Sequence, residues 1–164
     1  MYWKKNTTWA PVVLHSTRTA FAAVASVLAA RFCRLPETYW APITTLVITQ
    51  SSLGAALSVS AERFVGTALG AAVGAIVASH FGSQLLVFAI CIFILGILTA
   101  VLHSDRSAYR FAGVTVAIVL LVPRTDSALR IALHRFAEVC IGIGMALILS
   151  VAWPEQKETT SGKP

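Results

Sequence analysis

Residues 64–104 read FVGTALGAAVGAIVASHFGSQLLVFAICIFILGILTAVLHS, a stretch without a single Asp, Glu, Lys or Arg, bounded by Arg63 and Asp105. At 1.5 Å per residue, a helix needs about 20 apolar residues to cross a hydrocarbon layer roughly 30 Å thick. The stretch therefore holds two spans and a tight turn. The rest of the chain has the same character. Of its 164 residues 57% are hydrophobic and 12% charged, and the mean hydropathy is +0.77. A water-soluble domain of this size has too little interior to hide that much apolar surface, so lipid is the solvent it needs.

Six apolar segments follow one another, at 12–33, 40–57, 64–80, 84–102, 109–123 and 135–152. They predict an all-α, polytopic membrane protein of about six transmembrane helices. A six-helix domain over 1–154 is followed by a polar tail at 155–164 that reads as disordered. The amphipathic aromatics Tyr2, Trp3, Trp9, Tyr39, Trp40, Tyr109 and Trp153 all fall at predicted segment ends, the level of the lipid headgroups. Pro42 fits the first turn of the second segment, where a missing N–H costs nothing. Lys4 and Lys5 are followed by polar residues and Arg18 interrupts the first apolar run, so that run reads as a retained helix rather than a cleaved signal.

The net charge of +6 and a pI near 9.7 do not imply nucleic acid, because Lys and Arg occur singly or in pairs between apolar runs rather than as one basic face. Beside membrane spans they anchor loops on the cytoplasmic side. With the N-terminus inside, eight basic residues face the cytoplasm against five outside, which predicts that both termini are cytoplasmic. Cys33, Cys91 and Cys140 sit singly in apolar runs and read as small buried hydrophobes. The four histidines show no metal-ligand spacing. His103-Ser104-Asp105 brings together three residue types of a hydrolytic triad, but adjacency is not triad geometry. No phosphate-cradling loop is present. No metal, cofactor or catalytic group is predicted, and the chain does not read as an enzyme.

Some residues could still carry function. Gly66, Gly70, Gly74 and Ala78 recur every four residues and lay a strip of minimal side chains along one helical face, where another helix can approach closely. Arg63 reads in two ways. It is either an interfacial arginine at a helix start, snorkelling beside Glu62 or toward lipid phosphate, or, with Arg18, a positive charge presented to an organic anion. Glu138 lies inside the sixth apolar segment, three residues after Arg135. It is either that arginine's partner or a protonatable group that couples transport to the proton gradient. Gln50, Ser51 and Ser52 form a polar patch able to bridge helices or line a substrate path. Arg63-Phe64 with Gly70 recurs as Arg135-Phe136 with Gly142. That echo predicts a 3+3 inverted repeat, the plan in which transporters place their site between repeats.

Several of these stretches resemble the fusaric acid resistance family and the related aromatic acid exporters of the bacterial inner membrane. The likeness rests on Arg18, on Tyr39-Trp40-Ala41-Pro42-Ile43-Thr44, on Gln50-Ser51-Ser52-Leu53-Gly54, on the run from Ala61-Glu62-Arg63-Phe64 to Gly70, and on Arg135-Phe136-Ala137-Glu138 with Trp153-Pro154. The resemblance implies proton-driven efflux of aromatic carboxylates or similar small organic anions. Longer members look like two such six-helix halves, or like one joined to a sizeable cytoplasmic domain, and the resemblance implies a homodimer for a single half. The competing expectation is a non-transporting membrane scaffold or partner subunit of a larger complex.

Overall fold

The computed structural model describes residues 9–49, 52–82, 84–102, 106–122 and 126–152. These form six helices and no strand: α1 (Trp9–Phe32), α2 (Trp40–Ile48), α3 (Leu53–Phe81), α4 (Leu85–Val101), α5 (Arg106–Leu121) and α6 (Ala128–Ala152). Among the described residues three stretches are long and apolar enough to cross a membrane, Val12–Phe32, Leu53–Phe81 and Ala128–Ala152, and α4 is a shorter apolar helix. The surface is apolar, and polar and charged side chains are buried beside the apolar clusters of the interior. Phe21, Phe32, Leu85, Phe93, Leu129 and Ile148 are exposed, whereas Arg18, Thr44, Thr45, Thr67, Thr115, Arg135 and Glu138 are buried. In water that inversion would be costly, and in hydrocarbon it is the stable arrangement.

Two helix boundaries differ from the hydropathy reading. The second apolar segment does not continue to residue 57, because α2 stops at Ile48 and α3 has already begun at Leu53. Thr49 caps one helix, its N–H donated to the Thr45 carbonyl, and Ser52 sits in extended backbone (φ −58°, ψ 159°) as the N-cap of the next, without a side-chain cap hydrogen bond. The nine residues of α2 span only about 14 Å. Similarly, Glu62 and Arg63 interrupt the hydropathy of α3 but not the helix, and Arg135 lies inside α6 rather than opening it. Charge ends an apolar window, whereas a helix ends only when its backbone is broken.

The α1 helix closes with a Leu35 N–H donated to the Ala30 carbonyl (3.1 Å) and an Arg34 N–H donated to the Arg31 carbonyl (2.9 Å). This is the paired closure in which the residue after the cap turns left-handed. Here Arg34 takes that place at φ 54°.

Helices α3 and α6 run antiparallel. Ala56 and Ala146 share one buried cluster, Ala71 and Ala75 share another with Ala128 and Ala132, and the Phe64 and Phe136 rings meet between them at 5.2 Å. The glycine strip of α3 lies on α5. A Cβ at Gly66 would overlap the Ala108 carbonyl oxygen, one at Gly70 the Ala112 carbonyl oxygen, and one at Gly74 would sit 3.1 Å from Val119 Cβ. The rising series shows that α3 and α5 are parallel. On the other side Gly142 of α6 lies on α2, where a Cβ would stand 2.5 Å from both the Ala41 carbonyl oxygen and Thr44 Cβ.

These two seams are related. Gly70 against Ala112 and Thr115 matches Gly142 against Ala41 and Thr44, with one offset of 72 for the glycines and one of 71 for their partners. The Thr44 hydroxyl donates to the Trp40 carbonyl (3.1 Å) and the Thr115 hydroxyl to the Phe111 carbonyl (3.0 Å), again at that offset. Helix α1 packs on α2 and α6, and α4 packs on α5 and α3. The bundle is therefore a 3+3 repeat, α1–α3 and α4–α6, whose pseudo-twofold axis passes between Phe64 and Phe136. Three helices per repeat, with α3 and α6 antiparallel, make the two repeats inverted.

Candidate functional site

Four charged side chains are buried in the bundle. Arg18, Arg63, Arg135 and Glu138 are 4%, 6%, 3% and 1% exposed. The guanidinium of Arg63 lies over the Phe111 ring, 4.8 Å from its centroid, and that of Arg135 over the Trp40 ring at 3.5 Å. These are the same contact at repeat-related positions, since Arg63 corresponds to Arg135 and Phe111 to Trp40. A cation over an aromatic face is attracted by the ring quadrupole, by about 2 kcal/mol when both are desolvated. That attraction leaves the edge of the guanidinium free. Indeed Arg63 Nε, Arg135 Nε, Arg135 NH1 and Arg18 Nε are buried without a hydrogen-bond acceptor, as are the hydroxyls of Ser60 and Ser150.

Both bland readings of these charges fail on geometry. Arg63 is not an interfacial residue at a helix start, because α3 begins ten residues earlier and the side chain is buried. Glu62 accepts a hydrogen bond from Ser58 (3.2 Å) instead of pairing with it. Nor do Arg135 and Glu138 form an ion pair. The ion pair found within 4 Å among the described residues is Arg130–Asp126 at 2.6 Å, on the exposed start of α6. Glu138 Oε1 instead accepts the backbone N–H of Glu37 at 3.2 Å. Arg135 stays within electrostatic reach of Arg63, Glu138, Glu37 and Tyr39.

Sequence reasoning did not find Glu37 or the inward role of Trp40. Glu37 lies in the connection between α1 and α2. Its Oε2 accepts the Trp40 indole N–H at 2.8 Å while its own backbone N–H reaches Glu138. Partial burial, with the Glu37 carboxylate nearby, raises the Tyr39 phenol above its ordinary pKa. Trp40 sits at a helix end, as a headgroup anchor would, yet its ring faces Arg135. A Trp followed by Ala-Pro with an acid three residues before it was the available signal.

The remaining residues are placed as follows. Gln50 and Ser51 lie outside the described residues, as do Tyr2, Trp3, His103, Trp153 and the tail. Arg110 is exposed. Cys33 is exposed rather than buried, because α1 ends just before it, while Cys91 is buried. His80 hydrogen-bonds the Ile76 carbonyl (2.8 Å) on the surface.

The chain is 28% identical over 153 residues to the Inner membrane protein YeeA of Escherichia coli (strain K12), which covers 88% of this chain and 42% of that protein. It is 26% identical over 170 residues to the Uncharacterized transporter YdhK of Salmonella typhimurium, covering 96% of this chain and 25% of that protein. The Escherichia coli (strain K12) YdhK is 26% identical, over 90% of this chain and 23% of its own length. The chain thus spans less than half of each of these relatives. No solved structure matches. The family described as fusaric acid resistance protein-like matches residues 9–149. A bundle with an apolar exterior, membrane-length helices and inner-membrane, transporter-type relatives belongs to the fusaric acid resistance protein-like family of membrane proteins.

Proposed function

We propose that the chain is a module of a secondary transporter that exports aromatic carboxylates or similar small organic anions across the bacterial inner membrane. One observation carries the reading: among the described residues, Arg63 Nε and Arg135 Nε and NH1 are buried at the repeat interface without an acceptor, and no carboxylate lies within ion-pair distance of either side chain. Taking a guanidinium out of water costs several kcal/mol unless a counter-charge and acceptors replace the water. A carboxylate supplies both, and arginine's planar fork suits it. The Phe64 and Phe136 rings, which meet at 5.2 Å between the two arginine-bearing helices, suit an aromatic body. An axis lying in the membrane plane would set these groups near mid-depth, where transporters built from inverted repeats bind substrate. Glu138, the buried acid of the site, is the group that takes up and releases the coupling proton.

Two further points belong to this reading. In this reading the six-helix module works as a homodimer, two copies pairing in the membrane. With the buried Arg18, Arg63 and Arg135 left out of the loop charge, six basic residues face inward against four outward, which supports cytoplasmic termini. The test is flux. In proteoliposomes holding the purified protein, movement of labelled benzoate should follow an imposed pH gradient and fall at least tenfold in Arg63→Ala, a loss of about 1.4 kcal/mol or more. Equal movement in empty vesicles would refute the proposal.

A further inference from the structure

The two arginine–aromatic contacts are related by the repeat but are not built alike. Arg135 is 3.5 Å from the Trp40 centroid, and Arg63 is 4.8 Å from the Phe111 centroid. The reason lies in what surrounds each ring. Trp40 has an indole N–H, and the Glu37 carboxylate holds it at 2.8 Å. Phe111 has no polar edge, and Ala108 stands at the position corresponding to Glu37. Glu37 is in turn held by its backbone N–H on Glu138 Oε1, and the position corresponding to Glu138 in the other repeat is Gly66. Both carboxylates of this interaction thus lie at the α2–α6 seam, and the α3–α5 seam has neither.

We infer that Glu37 and Trp40 form a clamp that positions Arg135: the carboxylate fixes the indole, the indole face seats the guanidinium, and the unmatched N–H edge is left to face an anion. Trp is the strongest of the aromatic cation platforms, and a negative charge on its N–H makes the ring face more electron-rich. A guanidinium seated flat gives up its rotational freedom before the anion arrives, so less is lost on binding. Arg135 is then the fixed contact for the anion and Arg63, over its untethered Phe111, the adjustable one. Neither Glu37 nor Trp40 touches the anion in this arrangement; both act through Arg135. The anion part rests on the function proposed above, whereas the clamp stands on its own geometry.

Two measurements separate them. In protein whose only tryptophan is Trp40 (W3F, W9F, W153F), held in nanodiscs without any added anion, the emission of Trp40 should change in Arg135→Gln. Glu37→Ala should change it in the same direction, the double variant should go no further than the larger single change, and Glu37→Gln, which keeps an acceptor oxygen, should restore most of the parent signal. Residues acting through one contact are non-additive. Wild-type emission in Glu37→Ala, or a double variant equal to the sum of the two, overturns the clamp. In benzoate uptake, Glu37→Ala and Trp40→Phe should each raise KM about tenfold with the maximal rate retained, and together no more than either alone. A lowered maximal rate at unchanged KM also overturns it. If the emission cycle closes as described but wild-type protein moves no benzoate, the clamp holds and the proposed substrate is what fails.

Discussion

At one seam of the bundle Gly142 lets α6 settle onto the Ala41 carbonyl and Thr44 of α2; at the other Gly70 lets α3 settle onto the Ala112 carbonyl and Thr115 of α5. The backbone contact is the same, and the side chains around it are not. The α2 seam carries Thr45, whose hydroxyl reaches the carbonyls of Ala41 (3.0 Å) and Gly142 (3.1 Å), and beyond it Thr49. The corresponding residues of α5 are Val116 and Leu120, packed with Cys91, Leu95 and Ala112 in a dry cluster. Glu37 and Glu138 likewise stand where the other seam has Ala108 and Gly66. Shared packing with divided chemistry teaches that the glycines maintain the repeat while the α2–α6 seam has taken on the carboxylates and the bridging hydroxyl.

If the seams are equivalent in packing, breaking either should cost the same. Gly70→Val and Gly142→Val both force a side chain into a backbone carbonyl of the facing helix. Each should destabilise by about 3 kcal/mol or more, read as a lowered midpoint of thermal unfolding in detergent. By contrast Gly144, with open space where a Cβ would be, should accept alanine with no loss and a gain of up to about 1 kcal/mol from helix propensity. A large loss at one seam and a small one at the other would show that the repeat is not a packing symmetry.

The chemical difference can be probed in the same way. Thr45→Val turns the α2 seam into a copy of the α5 seam and should cost about 1 kcal/mol, the net worth of a buried hydrogen bond between helices. Because the replacement is apolar and of similar shape, the effect should lie in stability rather than in anion uptake. The smallest effect is expected at the α1 closure. Arg34 holds φ 54° in a place where glycine has no Cβ penalty, so Arg34→Gly should stabilise by about 0.5 kcal/mol, visible as a small upward shift of the same transition.

The fold was legible where hydropathy and backbone agree. The uncharged run after Arg63 announces lipid by itself, and the arginine-phenylalanine-glycine echo already marks α3 and α6 as counterparts. The division between α2 and α3 was not legible, because a window average sees apolar residues on both sides of Thr49 and Ser52 and cannot register a break in backbone hydrogen bonding. Arg63 and Glu138 stood out as charges in apolar surroundings, but their partners did not. Nearest-neighbour reasoning paired Arg63 with Glu62 and Arg135 with Glu138, whereas the observed contacts reach Phe111 and Trp40 on other helices and the backbone of Glu37. Contacts across about 100 residues leave no periodicity behind. Trp40 adds a second difficulty, since a tryptophan at a helix end satisfies the headgroup rule and gives no sign that it faces inward.

In the proposed function Arg63 and Arg135 stay buried with unmatched N–H groups in order to hold an anion. Ligand at free concentration L that binds the folded state stabilises it by RT ln(1 + L/Kd), so the most direct measurement is the thermal transition of the purified protein with benzoate and with benzyl alcohol, its uncharged counterpart. The account predicts an upward shift that grows with benzoate concentration, that benzyl alcohol does not reproduce, and that disappears in Arg63→Ala and in Arg135→Ala. A benzoate shift of undiminished size in both variants, or an equal shift with benzyl alcohol, would contradict it.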